Sequence, residues 1–418
     1  MERMTDAVLI FTFSPVQSFI AEARRAADLA VGSGILSRLA KAAGTALVSA
    51  GGDLIYPADL ESGDIPNKLV VRLPFERAQE AARAAQDSLM DAWRAMAKEA
   101  RNRLAKYQPS PDAVWEEIWE RQIGALWEVY WAWARQAGDS ATAYRDAYSQ
   151  ASRTLVAVKA TRAFEQVAEP GEKDSLSGRR SALRTQTKDA RSYWSEIGTQ
   201  VPASRLRPCG RERLDAIGAI KRFCDAADKP FPSTSTVAAS EFLAAARSRP
   251  ELSAYREAVE KLLGGRLYRV SNDGEWPYDG DLLFRETLQP DRLERSYGLS
   301  SPDAGSRQKA EAALKRLYDA TPCRLSPYYA VLLCDGDNMG RAIQESLGSK
   351  SPLDSHRDFG QQLADFAQQV ADLAKDDRKL HLIYNGGDDV LALASLKGAV
   401  PAAGQLAAEF ARLVPGRT

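Results

Sequence analysis

Leu380-His381-Leu382-Ile383-Tyr384-Asn385-Gly386-Gly387-Asp388-Asp389-Val390-Leu391-Ala392-Leu393-Ala394 reads as two short apolar runs interrupted by Asn-Gly-Gly-Asp-Asp. Strand-length runs on either side of an Asn-Gly pair predict a β-hairpin. Upstream, Tyr328-Tyr329-Ala330-Val331-Leu332-Leu333-Cys334 predicts a strand that ends in Asp335-Gly336-Asp337-Asn338-Met339-Gly340, and the stretch from about His356 to Lys375 predicts a helix. A crossover through that helix makes the strands at 331–334 and 380–384 parallel, and the hairpin sends the next strand back antiparallel to both. With the returning strand between the other two, as in a split βαβ sheet, Asp335 faces Asp388 and Asp389.

Three carboxylates at one sheet edge repel one another unless a cation lies between them, and hard oxygen ligands favour Mg²⁺ or Mn²⁺. A two-metal nucleotidyl-transfer site needs such a set. Gly386 and Gly387 let backbone approach a triphosphate without a Cβ, and the amides from Gly336 to Gly340 can bind its oxygens. The Gly-Gly doublet alone carries little, because the chain has three, at 51, 264 and 386. Gly51-Gly52-Asp53 reads as a helix C-cap leading into a strand, and Asn-Gly-Gly-Asp-Asp could likewise be only a turn. The acidic cluster that ends the preceding strand favours the metal site.

At the other end, Ala7-Val8-Leu9-Ile10-Phe11-Thr12-Phe13 predicts a buried strand stopped by Ser14-Pro15. The Ala-rich stretch that follows predicts two helices joined at Gly32-Ser33-Gly34. Strands at 54–57 and 69–73, a helix from about Phe75 to Lys106, and a helix then a strand across Val114 to Trp133 complete the order. Five of the eight tryptophans fall in that last stretch with few basic neighbours, which assigns them to packing rather than to base stacking.

With 418 residues, 44% hydrophobic and 27% charged, the chain has material for two to four domains and is not disordered. Its 56 basic and 56 acidic residues balance, so any nucleic-acid contact must come from a local patch. Residues 179–222 are the one such run, with eleven Lys/Arg against four Asp/Glu; a solvated surface is the commoner meaning of such a run and a phosphate-binding face the sharper one. His356 and His381 sit in unrelated contexts and build no histidine metal site. Cys209, Cys224, Cys323 and Cys334 form no C-x-x-C, which fits reduced thiols and a cytoplasmic protein, and no run is long enough to span a membrane.

Tyr384 to Leu393, with Asp335 to Gly340 upstream, resembles the palm domain of the large polymerase/cyclase subunit of type III CRISPR effector complexes, particularly the Cmr (III-B) form. Phe13 to Ile20, Asp28 to Ser37, Ile65-Pro66-Asn67-Lys68 and Phe231-Pro232-Ser233-Thr234-Ser235 resemble the same subunit in the same order, so the likeness spans nearly the whole chain. It implies an α+β fold: two ferredoxin-like palms at 1–135 and 326–418 joined by a mostly helical middle domain at 136–325, with ATP bound between the palms. The implied activity is an ATP-using nucleotidyl cyclase that makes cyclic oligoadenylate when guide crRNA and target RNA are bound with other Cmr-type subunits. Asp335, Asp388 and Asp389 would be catalytic and hold the Mg²⁺ or Mn²⁺ ions, and Gly336, Asp337, Asn338, Met339, Gly340, Gly386, Gly387 and Ser14 would contact the nucleotide.

The chain departs from the family pattern in three ways. No amino-terminal HD nuclease domain is expected, since the first strand begins within ten residues of Met1. Asp174-Ser175-Leu176-Ser177-Gly178 stands where relatives carry a Cys-x-x-Cys zinc element, so no zinc is expected. The second palm is expected to stop after its second helix, leaving a sheet edge unpaired. The first palm is expected to lack metal, with Val70 and Val71 standing where the second has its acidic turn. A non-enzymatic scaffold of the same complex and a free-standing diguanylate-cyclase-like enzyme are the competing readings.

Overall fold

A computed structural model describes residues 5–415, apart from 62, 109, 139, 162–167, 209, 226–230 and 376–379. The first strand, β1 (Asp6–Ser14), is almost wholly buried, so both of its faces are core. It leads through a short helix, α1 (Gln17–Ala21), into α2 (Ala26–Ser49), then β2 (Asp53–Tyr56), β3 (Lys68–Pro74), α3 (Ala78–Leu104), α4 (Ala113–Gly124) and β4 (Glu128–Gln136). The strands form one antiparallel sheet of order β2-β3-β1-β4.

The period of two along β1 sorts its side chains between layers. Leu9, Phe11 and Phe13 face a core shared with α2 and α3, while Val8 and Ile10 face a second core completed by α5 (Ala141–Ala160). The tryptophans are packing elements: Trp127 meets Phe13 and Trp93 edge-on at 5.7 and 5.5 Å, and Trp115 stacks on Trp119 at 5.0 Å.

The predicted break at Gly32-Ser33-Gly34 does not occur, and α2 runs through it as one helix. A Cβ on Gly32 would lie 3.6 Å from the Lys221 side chain and 3.8 Å from the Ile20 backbone. The glycine therefore serves close packing, and tertiary contacts outweigh its poor helix propensity of about 1 kcal/mol.

Six helices follow: α6 (Ala190–Gln200), α7 (Ala216–Phe223), α8 (Thr234–Ala246), α9 (Pro250–Leu263), α10 (Pro290–Tyr297) and α11 (Ala304–Ala320). Residues 176–224 share the first sheet's core, whereas 239–317 build their own around Tyr255, Trp276 and Leu314. In the segment from Asp174 to Gly178, Asp174 closes the turn by accepting from the amides of Leu176 and Ser177, at 2.8 and 2.6 Å, and from the Ser177 hydroxyl at 2.7 Å. Cys209 lies outside the described residues. Among the described residues, six of the eleven basic side chains at 179–222 are paired with carboxylates, Arg222 with both Asp28 and Glu212 among them. Much of that run is therefore structural.

The chain then forms β5 (Ala330–Cys334), α12 (Met339–Leu347), α13 (Pro352–Leu373), β6 (His381–Gly386), β7 (Asp389–Ala394) and α14 (Leu396–Leu413). The strand order is β5-β7-β6, with the returning strand in the middle and antiparallel to both neighbours. One face of this sheet packs on α13 and α14 through Val390, Phe366 and Phe410; the other meets α2 and α8 through Leu393, Ala26 and Val237. Between the two sheets, α13 lies against β2, where a Cβ on Gly360 would sit 3.4 Å from the Ile55 carbonyl oxygen. No helix among the described residues is long and apolar enough to cross a membrane.

Candidate active site

Two backbone features bring the carboxylates together. The β6–β7 turn has only Gly387 and Asp388 between its strands, and Gly387 has a φ of +79°, in the left-handed region that suits glycine. At the exit of β5, Gly336 is so closely approached that a Cβ would lie 2.8 Å from that of Asp388 and 2.9 Å from both the Met339 sulfur and Phe410. Only a glycine lets the chain pass there, and its amide donates to the Asp388 carboxylate. Asn338, also left-handed at φ 59°, turns the chain into α12.

The outcome is a cluster in which one oxygen from each of Asp335, Asp388 and Asp389 lies within 4.8 Å of the others. Burial raises the pKa of Asp388, with the charge of Asp335 adding to it. Asp389, though exposed at the rim, is pushed up to about 7 by partial desolvation first, then by its hydrogen bond with Asp335 and the charges of Asp388 and Asp335. A set that resists full ionisation is one that a divalent cation relieves, and three carboxylates supply the hard oxygens that Mg²⁺ and Mn²⁺ prefer.

Asp388, Asp389, Gly386 and Met339 line a cavity of ≈ 180 Å³. Its opposite wall comes from the first sheet, with Tyr56 at the end of β2 and Asn67 and Lys68 at the start of β3. Lys68 Nζ lies 3.0 Å from the Tyr148 hydroxyl, so its cation is held at the seam. The hydroxyls of Tyr56 and Tyr384 keep their protons, through burial and then through the neighbouring charges of Asp388 and Asp389 respectively.

Of the residues expected to contact nucleotide, Asp337, Asn338 and Gly340 are exposed around the head of α12, and Gly336 and Gly387 are buried behind the cluster. Ser14 does not line the cavity; it pairs with Glu128 at the end of β1 and connects to the site only through its neighbour Phe13, whose carbonyl accepts from Asn67 Nδ2 at 3.0 Å.

One reading needs correction. The counterpart of the acidic turn in the first sheet is the long β2–β3 connection at 57–67, not Val70 and Val71, which are mid-strand partners of Ile10 and Leu9. Partners across a sheet follow from the pairing of strands, which position along one strand does not set. His356 also belongs here, although nothing in its sequence context marks it. It is buried in the cavity wall with Nδ1 2.8 Å from the Tyr144 hydroxyl, and burial, then the charge of Lys68, pushes its pKa down to about 4. Its partner is 212 positions away, so only the tertiary fold could reveal it.

Residues 328–418 match the sequence profile of the second palm domain of Cas10/Cmr2, and residues 8–98 match that of the N-terminal region of the CRISPR-associated protein Cmr2. The chain therefore carries two regions similar to Cas10/Cmr2, one near each end. Two solved structures of type III-B Cmr-beta, one of the apo state and one bound to cognate target RNA, contain chains of similar fold. Both share 12% identity with this chain, with TM-scores of 0.62 and 0.64; each match covers 97% of it and, respectively, 61% and 62% of the other chain. The chain thus spans about three-fifths of the length of those Cmr-beta chains. No curated protein matches it in sequence. All three carboxylates fall within the Cas10/Cmr2 second-palm match, while Tyr56, Asn67 and Lys68 fall within the N-terminal match, so the cavity lies between the two.

Proposed function

We propose that the chain is the nucleotidyl cyclase subunit of a type III-B CRISPR ribonucleoprotein, converting ATP to cyclic oligoadenylate in the cytoplasm when target RNA is bound. In this reading residues 1–135 and 326–418 are two ferredoxin-like palms joined by the helical region 136–325. The single observation that carries it is the cluster of Asp335, Asp388 and Asp389 at the meeting of a strand end and a tight hairpin, facing basic and polar groups of the other sheet. Its partners would be the other Cmr-type subunits, guide crRNA and target RNA. One of the Cmr-beta structures similar in fold is described as bound to cognate target RNA.

In the reaction a ribose 3′-hydroxyl attacks the α-phosphorus of an ATP. A phosphodiester forms, the bond to pyrophosphate breaks, and the hydroxyl proton passes to Asp389 or to water. Asp335 and Asp388 would hold Mg²⁺ or Mn²⁺, which when bound lowers the pKa of the hydroxyl and neutralises charge on the phosphates. Gly386 in the cavity wall would admit the nucleotide to backbone distance, Gly387 would act by shaping the turn behind the cluster, the amides around Asn338 to Gly340 would meet its phosphate oxygens, and Lys68 would supply a cation from the facing wall.

A second reading, a non-enzymatic scaffold of the same complex, is favoured by the size of the cavity: ≈ 180 Å³ is below the roughly 300–1,000 Å³ of ordinary small-molecule sites. Incubating the protein, assembled with its partner subunits, guide and target RNA, with labelled ATP and Mg²⁺ or Mn²⁺ separates the two. The cyclase reading expects oligoadenylate that disappears with Asp388→Asn. An assembled, RNA-bound complex that makes none establishes the scaffold.

A further inference from the structure

A second cavity, of ≈ 1050 Å³, shares no residue with the one at the carboxylates. It runs between the head of α2, the segment around Arg205 and Arg207, and the region from Tyr268 to α10. Eight basic side chains line it against five acidic ones. Part of the basic set is spent inside the fold. Arg25 and Arg222 share Glu212, Arg222 also holds Asp28, Arg205 holds Asp225, and Lys221 bonds the carbonyls of Phe19 and Glu22.

What remains without an ion pair is Arg24, Arg207, Arg269 and Arg292, of which Arg24 donates through Nε to the Ser175 carbonyl at 2.9 Å. All four are exposed, and none has a carboxylate at ion-pair distance among the described residues. The acidic wall is largely spent too. Asp279 accepts from the Ser233 hydroxyl at 2.6 Å, and Asp281 accepts from the Tyr297 hydroxyl at 2.6 Å. Burial of its carboxyl, with the charge of Asp279, pushes Asp281 up to about 8, so it is mostly neutral at pH 7. Glu286 remains as an exposed counter-charge. Beside the guanidinium groups lies Tyr268, stacked on Tyr297 at 5.8 Å; burial and then the charges of Asp279 and Asp281 keep its hydroxyl protonated, with Arg25 and Arg207 opposing them. Hydroxyls of Ser204, Thr234, Ser235 and Ser296 fill out the lining.

We propose that this cleft binds a single-stranded oligonucleotide, with its phosphates on Arg24, Arg207, Arg269 and Arg292 and a base against Tyr268. Guanidinium forks match phosphate oxygens two at a time, serine and threonine hydroxyls donate to the oxygens left over, and a tyrosine ring accepts any base. The volume exceeds what one nucleotide fills and suits several. An acidic peptide would satisfy the arginines but has no base to place on Tyr268. The proposal needs neither a divalent cation nor ATP, so it stands apart from the reading of the carboxylate cluster.

Fluorescence anisotropy tests it, with the full chain in EDTA and a fluorescein-labelled, unstructured single-stranded RNA of about twelve nucleotides. Binding should be strong at about 50 mM salt and fall steeply toward about 200 mM. Arg207→Gln combined with Arg269→Gln should weaken it about tenfold or more and flatten the salt slope by about 0.7 for each phosphate that is no longer neutralised. Tyr268→Leu should weaken it about tenfold while leaving the salt slope unchanged. Thermal melting checks that each variant is folded, and Arg292→Gln replaces any that is not. Competition with a trinucleotide and with an unlabelled strand of about twenty nucleotides separates a compact oligonucleotide from a passing RNA. Displacement by either supports the proposal. No binding at low salt, binding unchanged in the arginine variants, displacement by polyglutamate at equal charge, or preference for duplex would each overturn it.

Discussion

Three strands of the first sheet, β2-β3-β1, are ordered like β6-β7-β5 in the second, and the two sheets differ at one corner and in the fourth strand. In the first, β2 and β3 are joined by eleven residues at 57–67, and the central β1 is paired on both sides, with β3 and with β4. In the second, β6 and β7 are joined by two residues that carry a carboxylate against the end of β5, and β5 pairs only with β7 among the described strands. The first sheet is thus buried on both faces and both sides of its centre. The second leaves Leu333 76% exposed and collects three acids at its rim. One arrangement therefore serves as a wall and the other as a site, and the cavity between them uses both.

The largest expected effect tests that asymmetry directly. Asp335→Asn should lower ATP conversion by about three orders of magnitude or more in the assembled complex, whereas Asp59→Asn in the counterpart loop should change it less than about threefold. Equal losses, read from labelled product, would mean that the first sheet also carries chemistry. Next, Leu9→Ala in the doubly buried β1 should cost about 2–5 kcal/mol in urea denaturation, while Leu333→Ala on the open strand should stay within about 0.5 kcal/mol. Similar costs would show that the edge of β5 is covered in solution.

Metal binding should appear as stability. Mn²⁺ at about a hundred times its dissociation constant should add about 2.7 kcal/mol, and Asp335→Asn with Asp388→Asn should abolish that gain in thermal melts. A shift that survives both substitutions would move the ion elsewhere.

The smallest effect concerns the seam. Buried His356 has a pKa of about 4, below its ordinary 6.5, so it is neutral in the folded state. Its contribution is complete above pH 6.5 and is lost as pH falls toward 4, at no more than about 1.4 kcal/mol per pH unit. His356→Asn, which can keep a partner for Tyr144, should flatten the stability profile in that window. An unchanged slope would assign the acid sensitivity to other groups.

The strand at 7–13, the hairpin around Gly386-Gly387 and the meeting of Asp335 with Asp388 and Asp389 were all legible in the sequence, because local patterning and a single crossover fix them. What failed depended on partners far along the chain. Gly32 breaks propensity, yet the approach of Ile20 and Lys221 keeps α2 whole. Val70 could not be placed in the sheet until Ile10 was known to be opposite it. Tyr56, Lys68 and His356 reach the cavity from segments whose patterns speak only of strand or helix. The basic run at 179–222 was visible as charge, but the carboxylates that neutralise much of it, Glu22, Asp28 and Glu172 among them, lie mostly outside the run.

Gly360 offers a control that none of these residues does. It sets how closely α13 rides on the Ile55 carbonyl of β2, with no part in the carboxylate cluster itself. Side chains of increasing size at that one position would act as graded shims, prising the sheets apart while each sheet keeps its own hydrogen bonds. A series through Ala, Val and Leu would thus calibrate the gap of the cleft as an adjustable dimension, to be read against whatever molecule must enter it.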